Sequence, residues 1–187
     1  MKTLFFFLVL TISLSLNAQI TKGNWLVGGS GSFTSTTATS EDNLGNEFES
    51  IATALQLRPN IGYFLTDKFA TGLNIGVNLS NSPGRDNSNW SMSVGPFARY
   101  YFLKPENRVN LFGEASFSYG NGLSEINKDR NTTSYGFSTG GVLFFNSSVG
   151  LEMSLNYTDS TSRSDGSSDT NFKNLFLGLG FQIHLEK

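Results

Sequence analysis

Apolar and polar residues alternate along most of the chain with a period of two. In Ile51–Tyr63 the odd positions carry Ile51, Leu55, Leu57, Ile61 and Tyr63, and the even positions carry Gln56, Arg58, Asn60 and Gly62. The next run repeats the arrangement. Phe69, Thr71, Leu73, Ile75, Val77 and Leu79 share one parity, and Ala70, Gly72, Asn74, Gly76 and Asn78 share the other. Successive side chains of a strand point to opposite faces, so each run predicts a strand with one apolar face and one small or polar face. Eight such runs are read, near residues 23–36, 50–64, 68–80, 90–103, 108–120, 133–145, 149–158 and 172–185. The connections alternate in length. Leu65–Asp67, Lys104–Asn107 and Asn146–Ser148 are tight turns, whereas 37–49, 81–89, 121–132 and 159–171 are longer segments rich in Ser, Thr, Asn, Asp and Gly. That rhythm predicts an up-and-down arrangement with both chain ends on the tight-turn side.

Composition decides which face points outward. Charged residues make up 15% of the chain, against about 25% in a typical soluble domain. Aromatics reach 13%, with 17 Phe and 20 Gly. The face opposite the apolar one holds many glycines, with Gln56, Asn60, Asn74 and Asn78, where a water-facing exterior would carry far more Lys and Glu. Eight strands enclose little space, and glycine and short polar groups suit such an interior. The apolar face is therefore expected to meet lipid. In hydrocarbon every backbone polar group must be paired, so the first strand is expected to close on the last. The fold class expected is all-β, an eight-stranded antiparallel up-and-down transmembrane β-barrel.

The aromatics fall in two bands on the apolar parity. Trp25, Tyr63, Phe69, Tyr100, Phe102 and Phe145 lie near the tight-turn end. Phe33, Trp90, Phe117, Tyr119, Tyr135, Tyr157 and Phe172 lie near the long-loop end. Such bands are the girdles expected at the two membrane interfaces. Pro59 and Pro96 lie inside strand runs, where each removes a ladder donor, and they are expected at lipid-facing positions of irregular pairing.

Met1–Ala18 reads as a cleaved signal peptide, with Lys2 before the apolar stretch Leu4–Leu16 and cleavage between Ala18 and Gln19. The domain expected to fold is then 19–187. A net charge of -2 gives no basic footprint for nucleic acid. The absence of cysteine removes disulfides, thiolate metal sites and cysteine nucleophiles. A single histidine, His184, rules out a metal site built from several histidines.

Three segments carry a family resemblance: Pro59-Asn60-Ile61-Gly62-Tyr63-Phe64-Leu65-Thr66-Asp67-Lys68-Phe69, Val94-Gly95-Pro96-Phe97-Ala98-Arg99-Tyr100-Tyr101-Phe102, and Leu177-Gly178-Leu179-Gly180-Phe181. They resemble the outer-membrane β-barrel domain family, porin-like proteins related in architecture to the small OmpA-type and OmpX-type barrels. The resemblance covers essentially the whole mature chain. It implies a place in the outer membrane, with outer-membrane lipid as surroundings. It also implies the barrel assembly machinery as a partner, which would read the last strand through Phe181.

The polar residues with most to say are four charges on the lumen parity, Arg58, Arg99, Glu114 and Glu152. With Leu103 opposite Arg108, Arg99 would face Phe112 and Glu114 would lie one diagonal step away. The four are expected to pair with one another and plug the lumen. His184 is expected as a polar residue at the tight-turn end of the lumen. The acids Glu41, Asp42 and Glu47, and Asp159, Asp165 and Asp169, fit no complete calcium loop and read as solvated charge. No catalytic, cofactor-binding or metal residue is expected. The function expected is a non-enzymatic structural or surface-interaction role, with an unidentified extracellular ligand for the long loops. The alternatives are a narrow channel or carrier for small solutes, and an exported soluble lipid-binding barrel.

Overall fold

The structure, a computed structural model, describes residues 20–41, 47–81, 89–123, 130–164 and 168–185. The expected signal peptide lies outside the described residues, as do Asp42, Asp165 and the side chains of Glu41 and Glu47.

The described chain is a closed barrel of eight antiparallel strands in sequential order. They are β1 (Trp25–Glu41), β2 (Glu47–Thr66), β3 (Phe69–Asn81), β4 (Asn89–Tyr101), β5 (Val109–Gly122), β6 (Arg130–Phe144), β7 (Val149–Ser164) and β8 (Thr170–Leu185). The strand count and up-and-down order match the two-residue rhythm. The strand lengths do not. Most of the predicted loops 37–49 and 159–171 are strand, with Glu41 paired to Glu47 and Ser162 to Thr170. These segments are rich in threonine and serine, which suit an extended backbone. Their hydroxyls also bond across strands, as Ser134 to Ser160 at 2.8 Å and Thr161 to Asn171 at 2.9 Å.

Closure is uneven. β1 and β8 pair from Trp25↔Leu185 to Gly31↔Leu179 and no further, although both strands continue. Beyond that point residues 33–37 and 170–175 are exposed on both parities, so the two strands diverge toward the long-loop end.

The prolines sit where the ladder lapses. Pro59 faces Gly29 of β1, while the β2–β3 register skips from Leu57↔Val77 to Asn60↔Asn74. Pro96 faces Leu73 of β3, and the β4–β5 register skips from Val94↔Tyr119 to Phe97↔Ser116. A strand residue donates its N–H toward one neighbour only, so a proline costs the ladder on one side and spares the other. Beside Pro96, a Cβ on Gly95 would run into the Phe117 carbonyl. Glycine at this position is required by the close approach of β5.

The turn between β4 and β5 departs from the expected register. Arg99 faces Glu114 directly, and Tyr101 faces Phe112. The cause is Asn110, which is buried and holds the turn from inside. Its Oδ1 accepts from the Leu103 N–H at 3.0 Å, and its Nδ2 donates to the Lys104 carbonyl at 3.1 Å. The turn is therefore longer than Lys104–Asn107. A two-residue offset preserves the side-chain faces while changing which residues meet.

The exterior is apolar. Leu175, Leu177 and Leu179 are 61–68% exposed, and Leu73, Ile75, Met92, Val94 and Leu111 also face outward. Leaving a large apolar side chain in water forgoes about 1.5–3 kcal/mol of transfer free energy, which a hydrocarbon surrounding recovers. The lumen is not small and polar throughout, contrary to the expectation from its glycines. Its tight-turn half is filled by Leu26, Phe64, Phe97, Tyr101, Phe112 and Phe144, none more than 2% exposed. Below them Ile20 is fully buried. Its carbonyl accepts from the Lys68 N–H at 3.1 Å, and the Lys22 N–H donates to the Asp67 carboxylate at 2.9 Å. Gly23 turns the chain upward with φ 95°, and its N–H reaches the Phe64 carbonyl at 2.9 Å.

The outward belt generates a mutational test. Leu73 sits mid-strand between Ile61 and Pro96. Leu73→Arg is expected to destabilise the barrel in lipid vesicles by roughly 2–4 kcal/mol, and Asn74→Ser on the opposite face by clearly less. Urea unfolding in vesicles measures both. Unchanged stability of Leu73→Arg would contradict the outward orientation.

Candidate functional site

Three levels can be distinguished along the lumen. At the tight-turn end is the apolar floor. His184 of β8 is fully buried there against Phe64, Tyr101 and Phe144, with ring centroids at 5.4, 6.0 and 5.3 Å. Its two ring nitrogens have no hydrogen-bond partner among the described residues. His184 is therefore enclosed by aromatic rings and does not lie at an open polar mouth.

Above the floor lies a charged layer organised by Arg99 of β4. Its Nε and Nη2 reach one oxygen of Glu114, on the neighbouring strand β5, at 2.8 and 2.7 Å. Its Nη1 donates across the barrel to Glu152 of β7 at 2.6 Å, and Nη2 reaches the other Glu152 oxygen at 3.4 Å. The guanidinium also stacks over the Phe112 ring at 4.2 Å. Glu152 accepts a further hydrogen bond from Gln182 of β8 at 3.1 Å. Arg99 and Glu152 are each 3% exposed and Glu114 10%. One arginine thus ties β4 to β5 and to β7, with β8 joined through Gln182. Planar guanidinium geometry suits this better than a lysine, because several N–H groups diverge in one plane.

Of the four charges expected to form one network, the structure brings three together. Arg58 of β2 stands apart. It stacks against Phe176 at 5.7 Å and makes no hydrogen bond or ion pair among the described residues. It lines a cavity of about 20 Å³ that it shares with Arg99, Glu114 and Glu152, room for about one water molecule. Tyr101 and Phe112, which complete the surroundings of Arg99, are not apparent as site residues in the sequence. Their only signal is that they share the lumen parity with Arg99 and Glu114 on the same two strands.

The third level is a vestibule of about 520 Å³ toward the long-loop end, with Arg58 at its base. Its wall is mostly hydroxyls, amides and glycine. No group of three or more His, Cys, Asp or Glu side chains suited to a metal ion occurs among the described residues. Asp169 is instead engaged by Arg163 at 3.0 Å, and Asp159 lies 3.9 Å from Lys173.

The aromatic residues expected as girdles lie on the outward parity except Phe172, which shares the lumen parity of Asn174 on β8 and lines the vestibule, a correction of the parity expected at that strand's long-loop end. Trp25 and Tyr63 meet edge-on at 5.3 Å, and Tyr100 and Phe102 at 5.5 Å, at the tight-turn end with Phe145. Phe117 and Tyr135 meet at 5.4 Å toward the other end. Phe33, Trp90, Tyr119 and Tyr157 are exposed there as well.

The charged layer predicts an order of mutational costs. Arg99→Met strands two carboxylates and is expected to cost at least about 3–5 kcal/mol, reduced by any water admitted to the lumen. Glu114→Gln leaves Arg99 with Glu152 and is expected to cost less, about 1–3 kcal/mol. Combining Arg99→Met with Glu114→Gln and Glu152→Gln should recover part of the loss of Arg99→Met alone. Urea unfolding in lipid vesicles, read as a mutant cycle, tests the coupling. Strictly additive costs would show the groups to be independent.

No protein-family model and no curated protein matches this chain. Solved structures do. The outer membrane protein OprG from Pseudomonas aeruginosa superposes with a TM-score of 0.53 at 14% identity, covering 89% of this chain and 98% of that one. The N-terminal β-barrel domain of Pseudomonas aeruginosa OprF gives 0.54 at 16% identity, over 88% and 98%. Neisserial surface protein A gives 0.52 at 15% identity, over 87% and 97%. The chain therefore has the fold of the small outer-membrane β-barrels.

Proposed function

We propose that this chain is a non-enzymatic outer-membrane protein with a structural or surface-interaction role, closed to passage through its lumen. The observation that carries the reading is the blocked lower lumen. Beneath the vestibule there is room for about one water molecule, then the Arg99 layer, then packed aromatic rings. An ion crossing that path would have to break a desolvated ion pair and displace rings in van der Waals contact. The apolar exterior, the expected signal peptide and the outer-membrane proteins sharing the fold support residence in the outer membrane. Outer-membrane lipid and the barrel assembly machinery are then the implied partners. The long-loop end would face outward, following the usual asymmetry of such barrels. A soluble lipid-binding barrel is disfavoured, because its apolar face would point inward around the ligand.

The reading has two expected outcomes. The unmutated protein should show no steady single-channel conductance in planar bilayers. A steady conductance abolished by Glu114→Gln would favour the narrow-channel reading instead. On intact cells, a cysteine at Ser164 should react with a membrane-impermeant thiol reagent, and one at Thr66 should not. The reverse pattern would invert the topology.

A further inference from the structure

The charged side chains that line the vestibule are of one sign among the described residues. Two arginines line it, Arg58 at the base and Arg130, and no Asp or Glu side chain does so among the described residues. Arg99 takes the direct contacts of both Glu114 and Glu152, so Arg58 balances the layer's charge only from across the small cavity, with Glu114 as its electrostatic counterpart, and keeps its donors free among the described residues. Arg58 has an aromatic face behind it, Phe176, and no carboxylate bonded to it among the described residues. It is also the one residue common to the vestibule and the small cavity beneath. A half-buried guanidinium with free donors, set where a deep cleft narrows, is built to receive a planar or tetrahedral oxyanion.

The walls specify the rest of the ligand. Serine hydroxyls project from several strands, among them Ser80, Ser93, Ser118 and Ser160, and Gln56, Asn78 and Asn174 add amides. The Asn78 side-chain oxygen is buried without a hydrogen-bond partner, so the wall retains unused capacity. The polar lining exceeds the apolar, and the apolar side chains there, among them Phe172, are interspersed with hydroxyls and amides. A volume near 520 Å³ falls within the range of small-molecule sites. Among the described residues no β1 side chain lines the vestibule, which fits the divergence of β1 from β8 at that end and leaves a way in.

We propose that the vestibule is a binding site for a small hydroxylated oxyanion, a sugar phosphate or hydroxy acid, with the anionic group on Arg58 and hydroxyls on the serine and asparagine wall. This deepens the surface-interaction reading and rests on it for the direction in which the vestibule opens. Binding itself is measurable whether or not the lumen conducts. A conducting barrel that still bound through Arg58 would overturn only the closed-lumen reading.

The test uses the folded full-length barrel in lipid nanodiscs, with glucose 6-phosphate as probe and glucose as its neutral counterpart, followed by calorimetry and backbone amide shifts. Glucose 6-phosphate is expected to bind at one site, shifting amides of vestibule residues. Glucose should bind about tenfold more weakly or worse, and Arg58→Gln should weaken glucose 6-phosphate by about the same factor, the worth of a charged hydrogen-bonded contact. Ser118→Phe keeps both arginines and fills the cleft. It is expected to abolish binding, and it decides the matter if Arg58→Gln does not fold. Equal affinity for the two probes, unchanged affinity in either variant, or no binding at millimolar glucose 6-phosphate would overturn the proposal.

Discussion

The structure depends on pairing the backbone without a break around a cylinder. In hydrocarbon each unpaired N–H or C=O costs several kcal/mol, so the sixteen edges of eight strands join in eight ladders that close the cylinder. The continuous β1–β8 ladder from Trp25 to Gly31 closes the tight-turn half, where the apolar floor is packed. Both prolines obey the same constraint, each placing its missing donor at a local lapse in the ladder while the other side stays paired. Where β1 and β8 diverge, threonine, serine, asparagine and lysine mix with the outward Phe33, Leu175 and Leu177, so the lapse in pairing begins at the upper edge of the apolar belt.

Closing the cylinder inverts the usual division of a soluble protein. The large aliphatic side chains go outside, and the inside must be filled by whatever the narrow bore accepts. The filling is graded. Aromatic rings pack the floor, a single guanidinium spans the middle, and small hydroxylated residues leave the top empty. Arg99 is the pivot of this gradient. Below it the Tyr101 hydroxyl accepts from Arg99 at 3.5 Å and His184 is enclosed by aromatic rings, and above it the space widens into the vestibule. Its two carboxylates come from different sides of the barrel, so the charged layer also cross-braces strands that are not neighbours. Removing a strap of that kind is costly mainly because of the charges it would strand.

The gradient also gives Arg58 its character. A guanidinium in the same lumen, on the same parity, makes no direct ion pair among the described residues because Arg99 has already engaged both acids, and it faces Glu114 only across the small cavity. Its free N–H donors call for water or a ligand, and the vestibule supplies room for either.

Much of this was legible in the alternation of residues alone. Strand side chains must point to opposite faces, so the parity of Leu73 and Asn74, or of Leu179 and Gly180, settled which residues face out and which face in. The number of strands and their order followed from the spacing of turn-forming segments. What the alternation could not determine was register and depth. A two-residue slip leaves every side chain on its own face, so the pattern was blind to the difference between Arg99 facing Phe112 and Arg99 facing Glu114. That choice was made by Asn110 bonding the turn backbone, a contact that exists only once the hairpin is folded. The pairing of Arg99 with Glu152, 53 positions away, required closure of the whole cylinder. So did the burial of His184 among Phe64, Tyr101 and Phe144, which come from three other strands and converge only when the barrel is shut. Local periodicity is a property of the chain. Which of its equivalent positions meet across the lumen is a property of the closed barrel.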